Sequence, residues 1–271
     1  MHNDAGVLND LQFSPDERLL DVANRSLTAY FVGGNRPRSV RSDDLNYGTI
    51  RFSADGRRLL TTTGAATIEA FDVDSGELQL KICCSTIGGE AAFSPDGSLI
   101  VTAGHWPAFW DARSGQLIRR LTSDREFLTF LPIAFDPRRG WVLMGSQDGR
   151  VYAWDLRTGQ RAAASPGHTG YVDTIAVLKD SPWIAYASRG GPLRFWNPDS
   201  GIERALGATT ASSNLVAGAQ PHSILFGTDR GFVELWDTTE ERCRGDTTYG
   251  SPKTARVSVA TIATYCFPLR P

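Results

Sequence analysis

The residues capable of chemistry are few and scattered. Four histidines are present, His2, His105, His168 and His222, and no two stand at a metal-sharing spacing. The H-E-x-x-H arrangement, which puts two imidazoles and a carboxylate on one helical face, is missing. The four cysteines, Cys83, Cys84, Cys243 and Cys266, contain no C-x-x-C pair, so a zinc or dithiol centre is not expected. Vicinal Cys83 and Cys84 are the one candidate for thiol redox chemistry, and plain thiols in or near strands are the expected state. Paired carboxylates occur at Asp43-Asp44 and Glu240-Glu241, both in polar stretches that read as solvated loops. No G-x-S-x-G elbow and no glycine-rich phosphate loop is present. The reading is a chain without catalytic residues, metal or cofactor.

Composition narrows the partners. Hydrophobic residues make up 41% of the 271 and charged residues 21%, which is ordinary globular usage and argues against disorder. A net charge of −2 gives no general attraction to nucleic acid or an anionic membrane. Arg36, Arg38 and Arg41 form a small basic stretch, but Asp43 and Asp44 sit beside it and no stripe of charge follows. The first residues lack a basic segment followed by an apolar one, and no apolar run reaches the ~20 residues of a membrane helix. A cytoplasmic protein is the expectation.

The elements behind these residues repeat. The aromatic-acid ending Trp154-Asp155 has counterparts at Phe71-Asp72, Trp110-Asp111, Trp196-Asn197 and Trp236-Asp237, in steps of 39, 44, 42 and 40 residues. A degenerate ending, Tyr30-Phe31, stands 40 residues before Phe71. A turn recurs at Phe13-Ser-Pro-Asp16, Phe52-Ser-Ala-Asp-Gly56, Phe93-Ser-Pro-Asp-Gly97 and Phe135-Asp-Pro137, in steps of 39, 41 and 42. Two independent landmarks share one period. Between them lie short β-prone runs such as Leu99–Thr102 and Trp141–Met144, bounded by Gly, Pro and Asp. No sustained helical period appears. Each unit therefore supplies about four strands.

This pattern resembles the WD-repeat family of β-propellers, over roughly residues 7–245. The resemblance implies an all-β fold of four-stranded blades, one domain over residues 1–271, with units ending near 31, 71, 110, 154, 196 and 236. Residues 256–266 then read as a partial seventh blade or a closing strand. Two closures stay open: six blades with the tail as an extra edge strand, or a shortened seven-bladed ring. The family places a Ser or Thr eight residues before the Trp, and that position here holds Thr63, Thr102, Ser146, Ser188 and Thr228. A hydroxyl there is expected to accept the buried indole N–H of Trp154, Trp196 or Trp236 and relay the bond. The family's Asp is clear at Asp148 and its Gly-His pair at Gly167-His168, so no blade has the whole network.

The resemblance also implies a function, the binding of partner proteins or peptides on loops at one face. The loop Thr102-Ala-Gly-His105-Trp106-Pro107 is the most unusual of these, because Trp106 has no counterpart in the other units. A Trp beside a His in a short turn suits an anchor for a partner. Equivalent turns carry Asn24, Arg25, Arg189, Asp229 and Arg230, and blade-joining loops carry Arg125, Phe127 and Tyr171. Such a set suits an acidic or mixed peptide. A regulatory module of a larger protein is a second reading. A third, weaker one comes from Asp155-Leu-Arg-Thr-Gly-Gln160, which is similar to the blade-docking segment of pyrroloquinoline-quinone dehydrogenases. The Trp expected after Thr-Gly is replaced there by Arg161-Ala-Ala-Ala.

Overall fold

The computed structural model describes residues 8–15, 19–23, 26–30, 38–40, 47–63, 67–83, 89–122, 130–167, 169–188, 191–217, 223–228, 232–237 and 242–248. They fall into two compact units, 1–164 and 165–271. The expected closing strand at 256–266 lies outside the described residues.

The first unit holds four antiparallel four-stranded sheets, each a blade in simple up-and-down order. Blade 1 is β1 (Leu8–Phe13), β2 (Leu19–Ala23), β3 (Ser26–Tyr30) and β4 (Arg38–Val40). Blade 2 is β5 (Tyr47–Phe52), β6 (Arg58–Thr63), β7 (Thr67–Asp72) and β8 (Leu78–Cys83). Blade 3 is β9 (Ala91–Phe93), β10 (Leu99–Thr102), β11 (Ala108–Asp111) and β12 (Leu117–Arg120). Blade 4 is β13 (Phe130–Asp136), β14 (Trp141–Ser146), β15 (Val151–Asp155) and β16 (Arg161–Ala164).

The second unit is one seven-stranded sheet. It runs β17 (Thr174–Val177), β18 (Ile184–Ala187), β19 (Gly191–Asn197), β20 (Ile202–Ala217), β21 (Ser223–Thr228), β22 (Phe232–Asp237) and β23 (Arg242–Thr248). The period predicts two separate blades here. Instead β20, 16 residues long, pairs with β19 over its first part and with β21 over its second. Residues 202–217 contain no Pro and no Asp to turn the chain, so the strand continues, bent by bulges around Ser213.

The middle strands of blades 2, 3 and 4 are covered on both faces, which explains their near-continuous apolar sequence. In β10, Ile100 packs with Leu60, Ile68 and Phe93, while its neighbour Val101 packs with Phe130, Met144 and Trp154. Each such aliphatic side chain contributes roughly 1.5–3 kcal/mol on burial. Phe130 meets Tyr152 and Trp154 edge-on, with centroids at 5.5 and 5.3 Å. In the second unit the core is Leu193, Phe195, Leu215, Ile224 and Phe226.

One end of blades 2, 3 and 4 is closed by carboxylate turns. Asp55 accepts from the Ser53 hydroxyl at 2.6 Å and from Arg57 N, and Asp96 repeats this with Ser94 at 2.5 Å and Ser98 N. In blade 4 the buried Asp136 accepts from Arg138 N at 3.0 Å and from the Arg139 side chain. In blades 2, 3 and 4 the Asp of the aromatic-acid ending closes the next turn. Asp72, Asp111 and Asp155 accept both the backbone N–H and the hydroxyl of Ser75, Ser114 and Thr158. Arg58 ties blade 2 to blade 3 at this end, bonding the carbonyls of Gly97 and Ala112 and lying 4.5 Å over the Phe93 ring.

Candidate functional site

The opposite end of blade 3 carries the loop between β10 and β11. Its geometry follows from close backbone contacts. Ala103 N donates to Glu90 O at 2.8 Å. Gly104 forms an isolated bridge with Phe130 of blade 4, with N–H···O distances of 2.7 and 3.0 Å in the two directions. A Cβ on Gly89 would stand 2.7 Å from the backbone at Ala103 and Gly104, so only glycine lets the chains approach so closely. Past the loop, Leu121 N donates to Pro107 O at 2.8 Å, and Pro107 is buried.

Between these fixed points His105 and Trp106 stand out into solvent, Trp106 with 50% of its surface exposed. The Arg120 guanidinium lies over the Trp106 ring, 5.8 Å from its centroid, a cation–π pair. An exposed indole on a pinned loop has little conformational freedom to lose when a partner covers it.

Under this loop a carboxylate links three blades. Glu90, 7% exposed, accepts from the Arg51 guanidinium of blade 2 and, at 2.8 Å, from Ile133 N of blade 4. Sequence reasoning missed Glu90 and Arg120. Glu90 acts across blade boundaries, where spacing within one unit carries no signal, and Arg120 meets Trp106 through the pairing of strands within blade 3.

Of the other residues expected to meet a partner, Tyr171 is described, in the second unit, and is 63% exposed. Asn24, Arg25, Arg125, Phe127, Arg189, Asp229 and Arg230 lie outside the described residues.

The hydroxyl network is uneven. Trp110 Nε1 donates to Thr102 Oγ1 at 3.1 Å. Phe71 has no indole donor, and the buried Thr63 hydroxyl bonds Thr67 Oγ1 at 2.6 Å. The expected bond from Trp154 to Ser146 is replaced. Trp154 Nε1 donates to the backbone carbonyl of Thr122, at 3.3 Å, as the chain leaves blade 3. Packing against Phe130 and the tilted Tyr152 ring sets the indole there. Ser146 Oγ accepts Asp148 N at 3.4 Å, and Asp148 Oδ2 accepts the Tyr152 hydroxyl at 2.8 Å. Ser188 and Trp196 are buried in the second unit. A Cβ on Gly191 would stand 2.3 Å from Ser188 Oγ. His168 lies outside the described residues, as do the side chains of Thr228 and Trp236, whose strands β21 and β22 pair in register.

Among the described residues no three His, Cys, Asp or Glu side chains cluster to hold a metal, and no helix is long and apolar enough to cross a membrane. No family model matches the chain. Curated proteins do. It is 24% identical over 173 residues to Target of rapamycin complex subunit LST8 of Mus musculus, covering 61% of this chain and 52% of that one. It is 24% identical over 171 residues to DENN domain and WD repeat-containing protein SCD1 of Arabidopsis thaliana, covering 60% of this chain and 14% of the other. It is 27% identical over 135 residues to the serine-threonine kinase receptor-associated protein of Dictyostelium discoideum, covering 48% and 43%. These likenesses support the resemblance to the WD-repeat proteins. The chain spans about half the length of the rapamycin-complex subunits it matches. Its four-stranded sheets are the blades of a WD-type propeller.

Proposed function

We propose that this WD-repeat chain is a non-catalytic scaffold that holds partner proteins or peptides on loops at one face of its blades. The observation that carries the reading is Trp106, half-exposed beside the Arg120 guanidinium on a loop pinned by the Gly104–Phe130 bridge. A large aromatic held rigid in solvent costs hydration without stabilising its own fold, and Trp and Arg are the residue types most often found at binding hot spots. Two relatives support the reading by name, one as a subunit of a complex and one as a receptor-associated protein. The likeness to a segment of a longer DENN-domain protein supports the second reading, a module within a larger polypeptide. A cytoplasmic setting belongs to the same proposal, on the sequence reading given above.

The test is affinity capture from source-cell lysate with wild type and with Trp106→Ala, alone and combined with Arg189→Ala, read by mass spectrometry. Partners lost from the variants, at an unchanged melting curve, are the expected result. The same partners captured by wild type and variants would remove this face from consideration.

A further inference from the structure

A second surface lies on the outer strand of blade 3. Among β8, β12 and β16, only β12 has every side chain exposed. Two of its four residues are aliphatic, Leu117 at 44% and Ile118 at 53% exposure. The register explains Ile118. Phe109 pairs with Arg119 and Trp110 with Leu117, so Ile118 is the extra residue of a β-bulge. The same bulge leaves over Gln79 in blade 2 and Ala162 in blade 4. A polar or small residue suits that solvated position, and blade 3 alone of the three fills it with a branched aliphatic.

The other two residues are arginines held in place. Arg119 lies so closely across the Gly159 turn of blade 4 that a Cβ there would stand 2.4 Å from its Cδ. Arg120 is fixed over Trp106. Neither is paired with a carboxylate among the described residues. β12 is also the last strand of its sheet, so among the described residues one side of its backbone has no strand beside it. An open edge, exposed aliphatics and two pre-positioned guanidinium groups with no carboxylate partner among the described residues together define the complement.

We propose that β12 is a docking edge for an acidic, extended segment of a partner protein. The segment adds as a fifth strand to blade 3, sets apolar side chains on Leu117 and Ile118, and brings carboxylates to Arg119 and Arg120. The proposal rests on the scaffold reading and adds to it the chemistry of one partner.

The test uses the full chain and a fluorescein-labelled peptide of alternating Glu and Val, followed by anisotropy. Binding is expected to weaken with added salt, by about tenfold with Ile118→Gln, and by more with Arg119→Glu or Arg120→Glu. N-methylation of alternate peptide bonds is expected to abolish it, and the Lys–Val counterpart is expected not to bind. All three substitutions are on exposed side chains, and each variant's melting curve shows whether it is folded. Undiminished binding to a folded Ile118→Gln variant, equal binding of the Lys–Val peptide, or no binding of the Glu–Val peptide would overturn the proposal. So would self-association in sedimentation lost with Ile118→Gln, which would give the edge to a second copy. Arg120→Glu also alters the pair with Trp106, so the Ile118→Gln and Arg119→Glu arms are the ones that separate this proposal from capture through Trp106.

Discussion

The two ends of blades 2, 3 and 4 solve the same problem in different ways. At the turn end, Asp55, Asp96, Asp136, Asp72, Asp111 and Asp155 all have carboxylate oxygens occupied by nearby backbone N–H, hydroxyl or guanidinium donors. The chemistry is local, repeated and complete within a few residues. At the loop end there is no such repetition. The loop of blade 3 is held by a backbone bridge to its neighbour and by Glu90 reaching two other blades, and it leaves Trp106 outside. A uniform end stabilises, and a non-uniform end on a rigid support is where recognition is built. If that division is right, single substitutions at the loop end act through contacts between blades, and those at the turn end act within one turn.

The largest effect is expected from Glu90→Ala. It removes a carboxylate that accepts from both Arg51 and Ile133 N, and leaves the partly buried guanidinium without that counter-charge. Loss of about 3 kcal/mol is expected in urea unfolding. Loss of less than about 1 kcal/mol would mean that blade stacking is carried by the apolar cores alone, and the contrast between the ends would weaken.

Next is Gly159→Ala, which probes a place where a turn touches the preceding blade, as Gly115 of blade 3 also does against Leu80 of blade 2. Gly159 has φ of 65°, and its added Cβ would meet Arg119 Cδ at 2.4 Å. Gly140 has nearly the same φ, 66°, with nothing within 4 Å of an added Cβ. Gly140→Ala is expected to cost about 1 kcal/mol for the left-handed backbone alone, and Gly159→Ala about 2 kcal/mol. Repeating Gly159→Ala on an Arg119→Ala background is expected to bring the two together. Persistence of the gap would show that the arginine is not what the added methyl meets.

Thr102→Val sharpens the comparison within the hydroxyl series. It leaves Trp110 Nε1 without its acceptor and is expected to cost about 1 kcal/mol. Ser146→Ala is expected to cost less, because Trp154 already bonds the Thr122 carbonyl. Equal costs in thermal unfolding would argue that the indole bonds are interchangeable.

These pairs also show how much could be read without the structure. The period, the strand count and the hydroxyl eight residues before the Trp are properties of one unit, and one unit is what a repeat exposes. Trp106 stood out because no other unit has it. What stayed hidden crosses units or uses the backbone. The Arg51–Glu90 pair spans 39 residues and joins the first strand of blade 2 to the start of blade 3, and no motif within one unit records it. The acceptor of Trp154 is a carbonyl, which every residue has. The bulge that extrudes Ile118 is a matter of register. The continuous β20 was legible only as a missing turn signal between 202 and 217.

The smallest effect expected is in the response to acid, and its sign separates the turns from a buried carboxylate. Hydroxyl and backbone N–H donors hold Asp55, Asp96, Asp111 and Asp155 below the usual carboxylate range. Their stabilisation is complete above the unfolded value of about 4 and is lost as the pH falls through the depressed folded values. Burial pushes Glu203 the other way, up from its ordinary value. Its ionised form is the disfavoured one, so the cost is present above its raised value and disappears as the pH falls through it. The melting temperature is therefore expected to fall below about pH 4, less steeply in Asp155→Asn and more steeply in Glu203→Gln. The first substitution is mild because β19 already makes it: Asn197 occupies the equivalent position, and its Oδ1 accepts Asp199 N at 3.0 Å. An Asp155→Asn profile that parallels the wild type through the acid limb would mean the turn holds without its charge, and the carboxylate would then be one hydrogen-bond acceptor among several rather than the acid-sensitive closure of the blade.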